Sequence, residues 1–380
     1  MPYYTIEQKS RMQQLKWEDV INGNCAWMSD SRSNTGGTIT RFLNDVPEGI
    51  ARQIDTAYMT NALKRFNERW QHLLKAWRPD LYHSFEIPKR TGGKRKIDQP
   101  NDELMTALRE LKGLLESFGA KHHTAAFAYV KGRSCVNAVE RHQRHGSQWF
   151  LKTDFSNFFG SSTPAFVYRM VEKSFPFSEI VKTEEGKTAL ETALGLCFLN
   201  GGLPQGTPIS PMLTNLMMIP IDHRLAGGFA RRDMVYTRYA DDMLISADQH
   251  FNHEKTVAWI ESVLKEFNAP FHIKPEKTRF GSLCGANWNL GVMLNKDHEI
   301  TVGYRNKKFF KSAICHFITD HQNGMQWSGS DARELLGTLS YYSMVEKEYF
   351  SYIIRHYNEK FGVDVVRLLK QDASGDSFLV

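Results

Sequence analysis

Apolar residues change their period several times along this chain, and each change marks an element. Leu63, Phe66, Trp70, Leu73, Leu74 and Trp77 recur at helical spacing and predict a helix that ends before Pro79. From residue 82 the pattern becomes that of strands. SFEIPKRTGGKRKIDQP (84–100) reads as a hairpin turned at a Gly-Gly pair and closed by Pro100. Leu104, Leu108, Leu111 and Leu115 then mark an amphipathic helix. WFLKTDF (149–155) is a strand, followed by a loop and a helix opened by Thr163 as cap and Pro164 in its first turn. Pro211 to His223 predicts another helix, and MVYTRYADDMLIS (234–246) a hairpin with its tight turn at Ala240 and Asp241. Val257, Ile260, Val263, Leu264 and Phe267 give one more helix, with short strands near 271–274, 288–293 and 299–304 and a helical pattern beyond. The fold class is α+β, with an N-terminal helical extension (1–80), a mixed central region (81–304) and a helical C-terminal region (305–380).

Composition narrows the class without naming a function. The 380 residues are 41% hydrophobic and 24% charged, as expected of a soluble globular protein, and no apolar run reaches the length of a membrane span. The first residues lack the basic-then-apolar layout of a secretory signal, so a cytoplasmic location is expected. Cys25, Cys135, Cys197, Cys284 and Cys315 are scattered and form no C-x-x-C pair, which argues for free, mostly buried thiols over disulfides or a zinc knuckle. A net charge of +6 is compatible with a polyanionic partner. Basic residues cluster in PKRTGGKRK (88–96) and RHQRH (141–145), for which a solvated loop is an equally good account, and SDSRSNTGG (29–37) reads as a loop.

The chemistry concentrates on carboxylates. Asp241 and Asp242 stand side by side at a hairpin tip between apolar strands, where they repel each other unless a cation sits among them. Taken alone, such a pair is more often simply a solvated turn. Asp154 changes the balance, because it ends the strand FLKTD with Phe155, Phe158 and Phe159 around it. Magnesium prefers a few carboxylates completed by substrate phosphates. Three carboxylates can hold two such ions about 3.5–4 Å apart, the arrangement used for in-line phosphoryl transfer.

YADD in a hairpin, K-x-D-x-x-x-F-F upstream, LPQGTPISPMLTN (203–215) between them and IPKRTGGKRKI before them together resemble the reverse-transcriptase palm and fingers, in order and in interval, over residues 82–304. The resemblance implies a right-hand polymerase: fingers and palm at 81–304 and a helical thumb at 305–380. It implies an RNA-directed DNA polymerase that takes an RNA template and dNTPs, makes cDNA and uses two Mg2+ ions, with Mn2+ as a substitute. Asp154 and Asp241 match the metal-bridging aspartates, Asp242 the third acid, and Phe155 the neighbouring metal and nucleotide position. Arg95 matches the fingers arginine that grips the triphosphate, Lys89 is a helper on the same hairpin, and Gln205 matches the glutamine beside the incoming sugar and base. Phe159 falls where the family places its sugar-facing aromatic, although simple core packing is the alternative for that ring. Arg133 in AYVKGRS, Lys277 in KPEKTRF and Gly291 in NLGVML match template and primer contacts, with local support of the fold as the alternative for each.

Lineage is narrower still. The chain has room for a polymerase core and thumb but not for RNase H, integrase or endonuclease domains, which leaves compact bacterial enzymes. Retron enzymes carry N-A-x-x-H and V-T-G, where this chain has NAVERH (137–142) and Asn289-Leu290-Gly291. Among such enzymes the resemblance implies, as the preferred expectation, an antiphage defence enzyme copying a dedicated structured noncoding RNA. A retron-type enzyme making RNA-linked DNA and a non-catalytic RNA-binding or splicing-assistance protein are the alternatives, and a homo-oligomer stays open. Residues 331–362, rich in aromatic and basic side chains, would either track the template–primer duplex or pack as a helix pair.

Overall fold

The computed structural model describes residues 55–88, 92–283 and 288–375, so Lys89, Cys25, Cys284 and the loop expected at 29–37 lie outside the described residues. The helix anticipated from Leu63 to Trp77 forms in two pieces, Thr56–Arg69 and Gln71–Lys75. Asp55 caps the first piece by accepting the Tyr58 N–H at 2.7 Å. Strands β1 (Tyr82–Pro88) and β2 (Lys94–Pro100) pair antiparallel from Tyr82 opposite Pro100 to Pro88 opposite Lys94. Asn101 caps helix Asp102–Ser117 through the Leu104 N–H, and Leu104, Leu108, Leu111 and Leu115 all face the core as their spacing requires.

The central sheet carries the order β4-β5-β3-β6, built from β3 (Trp149–Asp154), β4 (Met234–Tyr239), β5 (Asp242–Ala247) and β6 (Arg279–Ser282). This order sets the end of β3 beside the start of β5. Thr163 caps helix Pro164–Val171 as expected. Helix Ser210–Ala230 runs a turn and more past the anticipated 211–223 and is buried on nearly every side, which is why its pattern shows no polar face. Helix His253–Glu266 packs Ile260, Val263 and Leu264 into the same core. A three-stranded sheet joins β7 (Trp288–Asn289), β8 (Val292–Leu294) and β9 (Ile300–Thr301), followed by helices Tyr304–Gln322, Gly329–Val345, Lys347–Phe361 and Val365–Gly375.

The described residues form two compact units: one runs to Ser134 and adds Leu151–Phe280, and the other joins Cys135–Phe150 to the residues from Gly281 on. Helix Thr56–Arg69 shares the first unit's core through Leu63 and Phe66. The second unit centres on Phe310, Ile314, Phe317, Phe350 and Leu369.

Three local expectations change. The strand expected at 271–274 is a single bridge between Phe155 and Ile273, and the continuous strand lies later, at Arg279–Ser282. Helices Cys135–Arg144 and Glu184–Gly195 complete the fold where no pattern was singled out. The basic run at 141–145 is not a solvated loop: residues 141–144 are the last turn of the first of these helices. His142 there is fully buried, and burial pushes its imidazole down to about 3, so it packs as a neutral ring.

Candidate active site

The hairpin predicted at YADD forms with Tyr239 opposite Asp242, leaving Ala240 and Asp241 as its two-residue turn. Ala240 carries a φ of 60°, which the first position of such a tight turn demands and which a residue with a Cβ adopts reluctantly. What holds it there lies beneath. Arg238, with no exposed side-chain surface, donates from Nη1 to the Ala240 carbonyl at 3.0 Å. Its remaining donors reach both Asp222 oxygens (2.7–3.2 Å) and Asn215 Oδ1 (3.1 Å), while the Tyr236 hydroxyl donates to Asp222 at 2.9 Å. Burial alone would lower the Arg238 pKa, but the Asp222 carboxylate outweighs it and holds the guanidinium above its ordinary value.

Asp154 ends β3 next to this tip. The Phe155 N–H donates to the Asp241 carbonyl at 3.2 Å, and the Asp154 carbonyl accepts the Lys274 N–H at 3.0 Å. The three carboxylates thereby share one strand-end edge. Burial first, and the Asp154 charge second, hold the Asp241 carboxyl above its usual range. Burial does the same to Asp242, against the pull of Lys152. The cations that balance the edge in this structure are lysines. Lys277 Nζ donates to Asp154 Oδ2 at 2.5 Å, Lys274 Nζ stands 3.4 Å from Oδ1, and Lys152 Nζ stands 3.3 Å from Asp242 Oδ1. Hydrogen bonding to Asp154 raises the Lys277 pKa, so it stays charged.

Lys152 and Lys274 were absent from the sequence-based set. Lys152 was findable, because it lies two residues before Asp154 on β3 and so shares its face. Lys274 meets Asp154 only through the fold.

Of the residues expected around the nucleotide, Arg95, Phe155, Phe159 and Gln205 fall in the same unit. Arg95 is exposed on β2. The Gln205 carbonyl accepts the Asp98 N–H at 2.7 Å, which ties the LPQG turn to the strand that carries Arg95. This close approach needs Gly206, whose φ is 119° and where a Cβ would lie 2.9 Å from the Asp98 carbonyl oxygen. Phe155 is fully buried, its ring stacked on Phe158 at 5.4 Å, so only its backbone is offered to the site. Phe159 is half-buried, edge-on to Phe158 at 5.9 Å and to Tyr129 at 6.5 Å.

Two of the template and primer candidates are placed differently. Arg133 turns its guanidinium back onto the carbonyls of His123 and Ala126, at 2.8 and 2.7 Å, and so clamps its own loop. Gly291 belongs to the second unit, in the turn between β7 and β8, with φ 86° and a would-be Cβ 2.9 Å from the Tyr341 hydroxyl. Lys277 is the third, and its ammonium is engaged by Asp154.

The carboxylate edge suits a hard divalent cation. Asp154 is 5% exposed, and its buried Oδ1 accepts no hydrogen bond, with the Lys274 ammonium 3.4 Å away as its ion-pair partner, so a divalent cation could take that place. Among the described residues no group of three His, Cys, Asp or Glu side chains is gathered closely enough to hold a metal ion by itself, so substrate phosphates and water would have to supply much of the shell. Magnesium is ordinarily bound that way.

An antiparallel sheet with acidic strand ends, flanked by helices and a basic hairpin, defines a polymerase palm built for phosphoryl transfer. The reverse transcriptase (RNA-dependent DNA polymerase) family matches residues 87–330, and the chain belongs to that family. Retron Ec83 reverse transcriptase of Escherichia coli is 25% identical over 315 residues, covering 80% of this chain and 94% of that protein. Retron Mx162 reverse transcriptase of Myxococcus xanthus is 35% identical over 175 residues, covering 43% of this chain and 35% of that protein. Telomerase from Candida albicans, solved with a fragment of telomeric RNA, superposes with a TM-score of 0.42 at 13% identity over 77% of this chain and 60% of that chain, too loosely to carry a functional reading. The protein is an RNA-directed DNA polymerase, which reads an RNA template and makes DNA. Among the described residues no helix is long and apolar enough to cross a membrane.

Proposed function

We propose that Asp154, Asp241 and Asp242, with the backbone of Phe155, hold two Mg2+ ions, with Mn2+ as a substitute, and that the protein copies a dedicated structured noncoding RNA into cDNA in the cytoplasm. The observation that supports the catalytic part is the buried Asp154 Oδ1, which accepts no hydrogen bond and faces only the Lys274 ammonium at 3.4 Å, at the edge shared with Asp241 and Asp242. Bound ions supply Lewis acidity toward the primer 3′ hydroxyl and the triphosphate. The chain's own residues do the rest. Lys152, Lys274 and Lys277 balance the carboxylates when no ion is bound. Arg95, with Lys89 as helper, grips the triphosphate, and its forked donors suit phosphate oxygens. Gln205 packs beside the incoming sugar and base. Arg133 shapes the template-side loop, Lys277 turns toward phosphate, and the Gly291 turn lies at the primer end. Residues 81–304 act as fingers and palm and 305–380 as thumb, behind the extension at 1–80.

Phe159 closes the sugar side of the pocket against a 2′ hydroxyl. Phe159→Ala is expected to raise ribonucleotide incorporation by roughly one to two orders of magnitude relative to deoxynucleotides, by opening space that the ring fills. Competition between dNTP and NTP on primed RNA measures it, and an unchanged ratio would remove the role.

The retron enzymes among its relatives favour an RNA partner made for this polymerase. Sequencing of nucleic acid that co-purifies with the protein should return one structured RNA and DNA complementary to it. A random transcript sample would refute a dedicated partner. The biological role we assign is antiphage defence. Expression of the locus should lower phage plating, and plating equal to that of an Asp241→Asn control would remove the assignment.

A further inference from the structure

Tyr129 occupies a place that core packing does not explain. It is 51% exposed, yet its backbone adopts a φ of 61°, which is uncommon for any residue with a side chain and rarer for a bulky one. Such a conformation persists where the surrounding structure over-determines it. Here the constraint is visible. The segment before Tyr129 is zipped to β4, the strand that leads into the carboxylate hairpin. The Arg238 N–H donates to the Ala125 carbonyl at 2.7 Å, and the Phe127 N–H to the Arg238 carbonyl at 2.8 Å. Buried Asn215 then donates to the Ala128 carbonyl at 2.8 Å. With the preceding carbonyl pinned, the chain turns sharply and throws the Tyr129 ring outward.

The ring lands edge-on to Phe159, 6.5 Å between centroids at 79°, within the range of favourable aromatic pairs. Phe159 is braced from the other side by Phe158 at 5.9 Å and 83°, and Phe158 stacks on fully buried Phe155. A line of rings therefore runs from the core beneath the metal edge, through Phe159, to Tyr129 at the surface. Burial first, and then the Asp241 charge, raise the pKa of the Tyr129 hydroxyl, while Arg95 pulls it down, so both groups lie within its electrostatic reach.

We propose that Tyr129 is a further specificity-determining residue: its ring braces Phe159, and the two rings together close the sugar side of the nucleotide pocket. The inference rests on the reading of Phe159 given above. Tyr129 acts through Phe159, so it is a positioning residue and not a catalytic one.

The test is single-nucleotide extension of primed RNA by the full-length protein, with a dNTP and the matching NTP, for wild type, Tyr129→Phe, Tyr129→Asn, Phe159→Ala and the Asn/Ala double variant. Asparagine is chosen because it accepts the left-handed backbone, and Tyr129→Gly serves if the asparagine variant does not fold by circular dichroism. Tyr129→Asn should raise the NTP-to-dNTP ratio of kcat/KM by roughly three- to tenfold, the scale of one aromatic pair. Tyr129→Phe, which keeps the ring, should hold the wild-type ratio. The double variant should not exceed Phe159→Ala by more than about twofold, as expected of residues acting together. A rise in Phe159→Ala with an unchanged ratio in Tyr129→Asn would overturn the inference and leave Phe159 standing, as would a rise in Tyr129→Phe equal to that in Tyr129→Asn. No rise in Phe159→Ala would overturn the reading of Phe159, and the inference with it.

Discussion

Asp241→Asn is expected to abolish DNA synthesis on primed RNA, by on the order of a thousandfold or more, while leaving the metal-free protein at least as stable as the wild type. The two halves follow from the same electrostatics. Asp241 sits at a partly buried edge facing Asp154 and Asp242, and burial with the Asp154 charge raises its pKa. A carboxyl whose folded pKa lies above its unfolded value binds its proton more tightly when folded. Its charge therefore destabilises the fold at neutral pH, and that cost fades as pH falls through the raised value. Asparagine keeps the shape and removes the charge. Without added magnesium, the melting temperature of the variant should equal or exceed that of the wild type at pH 7, and the gap should close toward pH 4. Primer extension and thermal melts across that range read both effects. Extension within about tenfold of wild type would place the chemistry elsewhere.

Arg238→Ala should destabilise the protein by about 3–5 kcal/mol, because it strands a fully buried Asp222 carboxylate. The Tyr236 hydroxyl remains as one donor to Asp222, but the guanidinium that gives the carboxylate three bonds is lost. The same change frees the Ala240 carbonyl and so loosens the turn that aims Asp241. Arg238→Met with Asp222→Leu separates the two roles. Apolar replacement of a buried pair can restore stability, but it returns no donor to Ala240. Urea unfolding of the double variant should recover most of the midpoint lost in Arg238→Ala while primer extension stays depressed. Recovery of activity along with stability would show that the pair supports the fold without aiming the tip.

The hairpin at 234–247, the strand ending in Asp154 and the cap at Thr163 were legible because each is decided within a few residues, by alternation, turn chemistry and capping. The short strands were not. The 271–274 segment has strand-like composition, yet it makes a single bridge, because what it pairs with is set by a neighbour more than a hundred residues away. His142 looked like part of a basic surface run, and only the packing of its helix shows it buried and neutral. Arg133 was matched to the template side, and the structure shows its donors directed to its own loop.

The amino-acid sequence by itself determined the family and the α+β class and singled out the three aspartates proposed as the site, since those depend on residue identity at fixed local spacing. Tertiary structure decided how the aspartates are balanced and aimed. Lys277 reaches Asp154 across 123 positions and Arg238 reaches Asp222 across 16, and no periodicity announces either meeting. Charge pairing depends on distance in space and on exclusion of water, and both exist only once strands and helices have packed.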